Sequence, residues 1–420
     1  RPPRSTLSSS SAASDVYKRQ ILIIPFVIKE GIGVTLYELL HVGLFEYVPF
    51  IILLLALFTI SGGVRLTGAL VGTPIVNLAI ILIGTFLASW MGTTGAAMLL
   101  IRPLINANKH RKNIVHIIVF FIFLVANIGG SLTPLGDPPL FLGFLKGVDF
   151  FWTTTAMFVP MLIMIIALSI IFYFLDSYYL KKEDIKVEAP QEKLKLGIEG
   201  VFNLGLIVGV IGAVLISGFW KPHISFEVYS GVYLELQNLT RDILLLILTY
   251  ISWTYTPQQI RKDNEYTWFP IIEVAKLFAG IFVTIIPAIA ILKAGTNGAL
   301  AGIINAVSSD NGPVNIMYFW YTGVLSSFLD NAPTYLVFFN TAGGDPITLM
   351  GDLKNTLLAI SAGAVFMGAN TYIGNAPNFM VKSIAESSGV EMPSFFGYLF
   401  KWSIPFLVPL FIIVSWIFFA

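Results

Sequence analysis

The chain contains no cysteine. Disulfides and cysteine-ligated metals are therefore excluded, and nothing follows about compartment. Charge is also scarce. Asp, Glu, Lys and Arg make up 12% of the 420 residues, against about 25% in soluble domains. The formal net charge is +1, which offers no basic surface to a nucleic acid. Histidine occurs only at positions 41, 110, 116 and 223. These sites lack metal-ligand spacing, read as loop or interface positions, and point to no cofactor. Apolar residues fill the chain instead, at 56% with a mean hydropathy of +0.81. The composition predicts an all-α polytopic membrane protein.

Residues 1–20 stand apart. They are polar, Ser-rich and basic, and have no apolar core of the signal-peptide kind. They resemble a translated cloning scar, so a non-native or disordered tail is expected and left out of fold reasoning. A spanning helix needs about 20 mostly apolar residues. The expected spans are Ile21–Leu40, broken by Lys29 and Glu30, then Tyr47–Val64, Ile114–Val148, Phe150–Leu175, Val201–Phe219, Ile243–Thr256, Pro270–Leu292, Asn355–Ile384 and Phe395–Ala420. Because Ile21 already lies inside an apolar run, a further upstream helix is expected. Residues 21–175 form a first repeat, 176–200 a charged cytoplasmic linker, and 201–420 a second repeat.

Two spans are interrupted. Asn127–Phe141 carries Gly129, Gly130, Gly136, Asp137 and the pair Pro138-Pro139 within an apolar run, and no helix continues through it. A weaker copy runs from Asn370 to Phe379, with Gly374-Asn375 where the first has Gly136-Asp137. Non-helical backbone at membrane depth needs protein or water around it. Paired broken helices in corresponding halves are the best sequence pointer to a transporter's binding site. Two other segments, Pro74–Ile105 and Val314–Thr341, have polar centres at Gly92-Thr93-Thr94 and Asp330-Asn331-Ala332. Their arms are short for full spans and suit re-entrant hairpins; ordinary helix pairs joined by a turn are the plainer alternative. Each half then reads helix, hairpin, broken helix, helix.

Most Lys and Arg fall near Arg65, near Arg102 and Lys109–Lys112, between Lys181 and Lys195, and at Arg261-Lys262. Threading the spans alternately puts all four groups on one side, which should be the cytoplasm. The first hairpin then opens from the cytoplasm and the second from outside, giving an inverted repeat. Arg102 and Lys146, near segment ends, are expected to snorkel.

The tips and breaks offer Thr93, Thr94, Asp330, Asn331, Asn127, Thr133, Asp137, Asn370 and Asn375. Their hydroxyl, amide and carboxylate oxygens are hard donors suited to Na⁺ or Li⁺. Asp137 and Asp330 are the carboxylates of these nodes, and a cation and a proton would compete for them. That competition is the minimum needed for cation/proton exchange. The plainer reading makes Asp330 and Asp137 helix caps, and capping is compatible with ion binding.

The motif at Asn127–Pro139, with its Asn-x-Gly-Gly start and Gly-Asp-x-Pro end, resembles the ion transporter superfamily, as does Ser326–Pro333 with its Ser-x-x-x-Asp-Asn tip. Within it, the chain looks most like the NhaD-type sodium/proton antiporters. The resemblance implies a scaffold and a moving transport unit, a homodimer in membrane lipid, elevator-like alternating access, and a bacterial cytoplasmic-membrane location. The dicarboxylate carriers of the superfamily resemble Ser-Asn-Thr at both tips, which this chain lacks. Exchange of Na⁺ or Li⁺ for H⁺ is the expected function, with a cation-coupled citrate or dicarboxylate carrier as the alternative. An intramembrane aspartyl protease is disfavoured, because Pro134-Leu135-Gly136-Asp137 lacks the first glycine of that enzyme motif, and no enzymatic activity is expected.

Overall fold

A computed structural model describes residues 23–68, 70–183, 197–293, 301–309 and 312–420. The expected tail and the middle of the expected linker, 184–196, lie outside the described residues. The fold is mostly helical. Its first part comprises α1 (Ile23–Glu30), α2 (Ile32–Val42), α3 (Val48–Ser61), β1 (Arg65–Thr67), α4 (Pro74–Met91), α5 (Thr93–Ala107), α6 (Val115–Leu124), α7 (Pro138–Leu145) and α8 (Phe150–Glu183). After 184–196 come β2 (Gly197–Glu199), α9 (Phe202–Phe219), the hairpin β3 (Ser225–Tyr229) and β4 (Val232–Glu235), α10 (Leu236–Tyr255), α11 (Gln258–Asp263) and α12 (Phe269–Lys293). The last part holds α13 (Ala301–Val307), β5 (Ser308–Ser309), β6 (Gly312–Pro313), α14 (Asn315–Phe328), α15 (Asn331–Thr341), α16 (Pro346–Met350), α17 (Lys354–Met367), α18 (Ala376–Ser387), α19 (Phe395–Tyr398) and α20 (Ile404–Phe419).

Among the described residues, six helical stretches are long and apolar enough to cross a membrane: Ile32–Ser61, Pro74–Met91, Phe150–Glu183, Phe202–Phe219, Phe269–Ile291 and Phe395–Phe419. Three sequence expectations need correction. The spans expected at Ile21–Leu40 and Tyr47–Val64 are a short α1 and one continuous rod, Ile32–Ser61. The chain breaks at Gly31 (φ 85°), a left-handed conformation that favours glycine. It does not break at the polar His41 and Glu46, because a π turn over Gly43–Tyr47 carries the helix through them. The linker expected from Asp176 begins later, since α8 runs to Glu183 and Asp176 is fully buried in it. The span expected at Ile243–Thr256 starts at Leu236 and includes Arg241 and Asp242, which pair with each other.

The two breaks fold alike. In the first, Thr133 Oγ1 donates to the Ser89 carbonyl oxygen, Ser89 Oγ donates to the Gly129 carbonyl, and the Leu135 N–H donates to Thr133 Oγ1. In the second, Thr371 Oγ1 donates to the Ser327 carbonyl, Ser327 Oγ to the Met367 carbonyl, and the Ile373 N–H to Thr371 Oγ1. The residue separations in these pairs are 44, 40 and 2 in both cases. The end of the first helix in each helix pair is therefore stitched to the neighbouring break by the same backbone-directed bonds, which satisfy polar groups that water does not reach. The turns are close-packed. A Cβ on Gly136 would strike the Gly130 carbonyl, and one on Gly374 would sit 2.5 Å from the Gly368 carbonyl oxygen.

One end of the molecule collects the basic segments. β1 pairs antiparallel with β2, Arg65 pairs with Asp263 at 2.7 Å and with Glu199 at 3.3 Å, Arg102 with Glu265 at 2.9 Å, and Arg111 with Asp176 at 2.5 Å. His116, expected in a loop or interface, is buried there on α6, 2.8 Å from Asp176 and stacked on Tyr179. At the opposite end the Asp149 N–H reaches the Met350 sulfur at 3.1 Å, and Lys146 meets Glu46 at 2.5 Å. Lys146 and Arg102 are thus held in ion pairs rather than snorkelling freely.

Candidate functional site

Asp137 opens α7, where the break rejoins the helix. Pro138 and Pro139 occupy the first positions and need no N–H partner. Asp137 occupies the N-cap position, as the plainer reading has it, but its carboxylate does not do the capping. Its side chain makes no cap hydrogen bond and instead accepts from three other segments. One carboxylate oxygen accepts from Thr93 Oγ1 at 3.2 Å and Asn375 Nδ2 at 2.8 Å, and the other from Asn331 Nδ2 at 2.5 Å. The donors come from the first tip, the second break and the second tip. Asp137 is 1% exposed, and all of these partners are neutral.

Around this core lies a ring of amides. Asn375 Nδ2 also donates to the Ala126 carbonyl at 3.1 Å and faces Asn127 Oδ1 at 3.3 Å. Asn127 Nδ2 donates to the Ile122 carbonyl at 2.8 Å and to Asn378 Oδ1 at 2.7 Å. Asn378 Nδ2 in turn donates to the Gly368 and Thr371 carbonyls at 2.8 and 2.9 Å. The buried Oδ1 atoms of Asn331, Asn370 and Asn375 have no hydrogen-bond partner. Hard oxygens left without donors in a buried site are suited to a small cation.

The predicted residues fall into three sets. Thr93, Asn331 and Asn375 hold Asp137 directly, and Asn127 stands one amide away. Asp330 and Thr94 line the cavity beside Asp137, but Asp330 caps α15, accepting from the Ala332 N–H at 3.1 Å. Thr133 and Asn370 brace their own tips, Thr133 on the Ser89 carbonyl and Asn370 on Ser327 Oγ at 2.9 Å. The sequence reading passed over Asn378, which ties the two breaks together. Its signal is its place in the motif copy Asn370–Phe379, one turn after Asn375.

The cavity over Asp137 has one wall built from the turns at Gly92 and Asp330 and the two breaks, and one wall from the rod and α12. Leu53, Leu57 and Phe58 lie toward the end of α3 that leads to Arg65, and Pro270, Ile271 and Val274 toward the start of α12. The cavity therefore runs from Asp137 toward the basic end. No Lys, Arg or His lines it among the described residues.

Residues 11–419 match the model of the CitMHS_2 family, described as "Putative citrate transport", and the chain belongs to that family, within the ion transporter superfamily. A comparison with curated proteins finds no match. Family and helices together make the chain an integral membrane protein and a secondary transporter.

Proposed function

We propose that this member of the citrate-transport family exchanges Na⁺ or Li⁺ for H⁺ across the cytoplasmic membrane, at Asp137, by alternating access. One observation carries the reading. Asp137 is a buried carboxylate with hydrogen-bond donors from three segments and no cationic side chain in contact. A bare charge there is costly, so the group holds either a proton or a small cation. Asn331 and Asn375 turn their Nδ2 groups to it and keep Oδ1 atoms without hydrogen-bond partners that a cation could take, and Asp330 is a second carboxylate in the same cavity. A cation arriving from one side displaces the proton, and the reverse exchange on the other side completes the cycle.

In this reading the two halves are an inverted repeat, and α4–α5 and α14–α15 are re-entrant hairpins. The recurring tip-to-break hydrogen bonds support it. The basic end faces the cytoplasm, as the positive-inside rule directs. The cavity then opens inward.

The family description favours a second reading, a cation-coupled citrate carrier. Against it, the cavity offers an organic anion two carboxylates and no basic side chain. Proton flux in everted vesicles, with Na⁺, Li⁺, K⁺ and citrate added in turn, separates the two. Exchange predicts that Na⁺ or Li⁺ alone moves protons. Proton movement that requires citrate would replace it with the carrier.

A further inference from the structure

Away from Asp137, an acid–base pair joins the rod to the end of α7. Glu46 sits in the π turn of the rod and is 3% exposed. Its Oε1 is 2.5 Å from Lys146 Nζ. Its Oε2 has no partner and is buried, beside a second cavity of about 290 Å³ bordered by Glu38, His41, Lys146, Ile289 and Asn340. Lys146 is the residue immediately after α7, and Asp137 the residue immediately before it. The two ends of one short helix therefore carry the site carboxylate and the ammonium that grips the rod.

A second contact joins the same two elements. Phe141 of α7 stacks against Phe50 of the rod at 6.5 Å, and Phe50 packs on Phe278 at 4.6 Å and Phe282 at 6.1 Å. Tyr47 adds an edge contact to Phe282 at 6.0 Å. Phe50, Phe141, Phe278 and Phe282 are all buried. This aromatic layer lies between the Asp137 cavity and the Lys146 end.

We infer that the Glu46–Lys146 pair is the outer latch of the transporter. It locks α7 to the rod over the aromatic layer while the site faces the basic end, and it must open before Asp137 can face the other side. The energetics fit a latch. Pulling Lys146 away strands a buried carboxylate, so opening is opposed until water or a cation entering the second cavity reaches Glu46. The inference rests on the alternating-access reading and on its orientation, but not on which ion is carried.

The full chain has no cysteine, so single reporters are clean. Leu57→Cys lies in the inward cavity, and Ile289→Cys in the outer one. Each is combined with Glu46→Gln, with Lys146→Met, with both, and with the exchanged pair Glu46→Lys plus Lys146→Glu. The double neutral variant leaves no stranded charge, which protects folding. A membrane-impermeant maleimide is added to everted vesicles for Leu57→Cys and to right-side-out vesicles for Ile289→Cys. Loss of the latch should slow labelling at Leu57→Cys and speed it at Ile289→Cys, each by about fivefold. The exchanged pair should restore parental rates. Parental rates in the double neutral variant would overturn the latch. So would faster labelling at Ile289→Cys with Leu57→Cys unchanged, which is local loosening. Failure of Na⁺-dependent flux would instead overturn the exchange reading and leave the labelling result standing.

Discussion

At the scale of single residues, the site depends on one charge among amides. Asp137→Asn keeps the shape and removes the charge, so it should abolish cation-dependent proton flux in vesicles while expression stays normal. Adding Asn375→Asp to that variant puts a carboxylate back within the same cluster, because Asn375 Nδ2 lies 2.8 Å from Asp137. Partial flux should return. Normal flux in Asp137→Asn alone would remove Asp137 from the mechanism. Asn378→Ala should act differently. It deletes three buried hydrogen bonds and should lower stability by about 3 kcal/mol, read as a lower unfolding midpoint in detergent. Asp137, Asn331 and Asn375 were legible in the sequence because a polar cluster in an apolar run is anomalous. Asn378 lies in the motif copy Asn370–Phe379, but its partnership with Asn127 spans 251 residues and has no local pattern. The partnership of Glu46 and Lys146 likewise spans 100 residues, and no local pattern encodes it.

At the scale of elements, the breaks were readable, including the interruption expected at Lys29-Glu30, which falls beside Gly31, whereas the continuity of the rod past His41 and Glu46 was not. Gly and Pro act on the backbone where they stand, so Gly136, Pro138 and Pro139 mark the break within a residue or two. His41 and Glu46 are polar without constraining φ, and polarity alone gave the wrong boundary. The structure keeps the rod continuous, with Lys146 neutralising Glu46. A test follows from the packing of the turns. Gly136→Ala places a methyl against the Gly130 carbonyl, where only backbone movement relieves the clash. It should lower the unfolding midpoint and abolish transport together. Gly212→Ala on α9 meets nothing within 4 Å and should leave both unchanged. An unaltered Gly136→Ala protein would mean the turn is looser than its contacts require.

At the scale of the whole molecule, the positions of the charges and the number of crossings make one argument. The segments around Arg65, Arg102 with Arg111, and Arg261 meet at one end through ion pairs and the β1–β2 pairing, while most of the fourth expected basic group, Lys181–Lys195, lies outside the described residues. Replacing two spans by one rod leaves Arg65 at the same end, because the rod still finishes at Ser61. The opposite end holds Asp149 against Met350, four residues before Lys354. If the halves are inverted, His110→Cys should label only from the cytoplasmic face and Lys354→Cys only from the outer face. Asp149→Cys should follow Lys354→Cys, since the fold places them together. Labelling of positions 110 and 354 from the same face would end the inverted-repeat reading. It would also remove the inward-opening cavity and the outer latch, because both take their direction from that orientation.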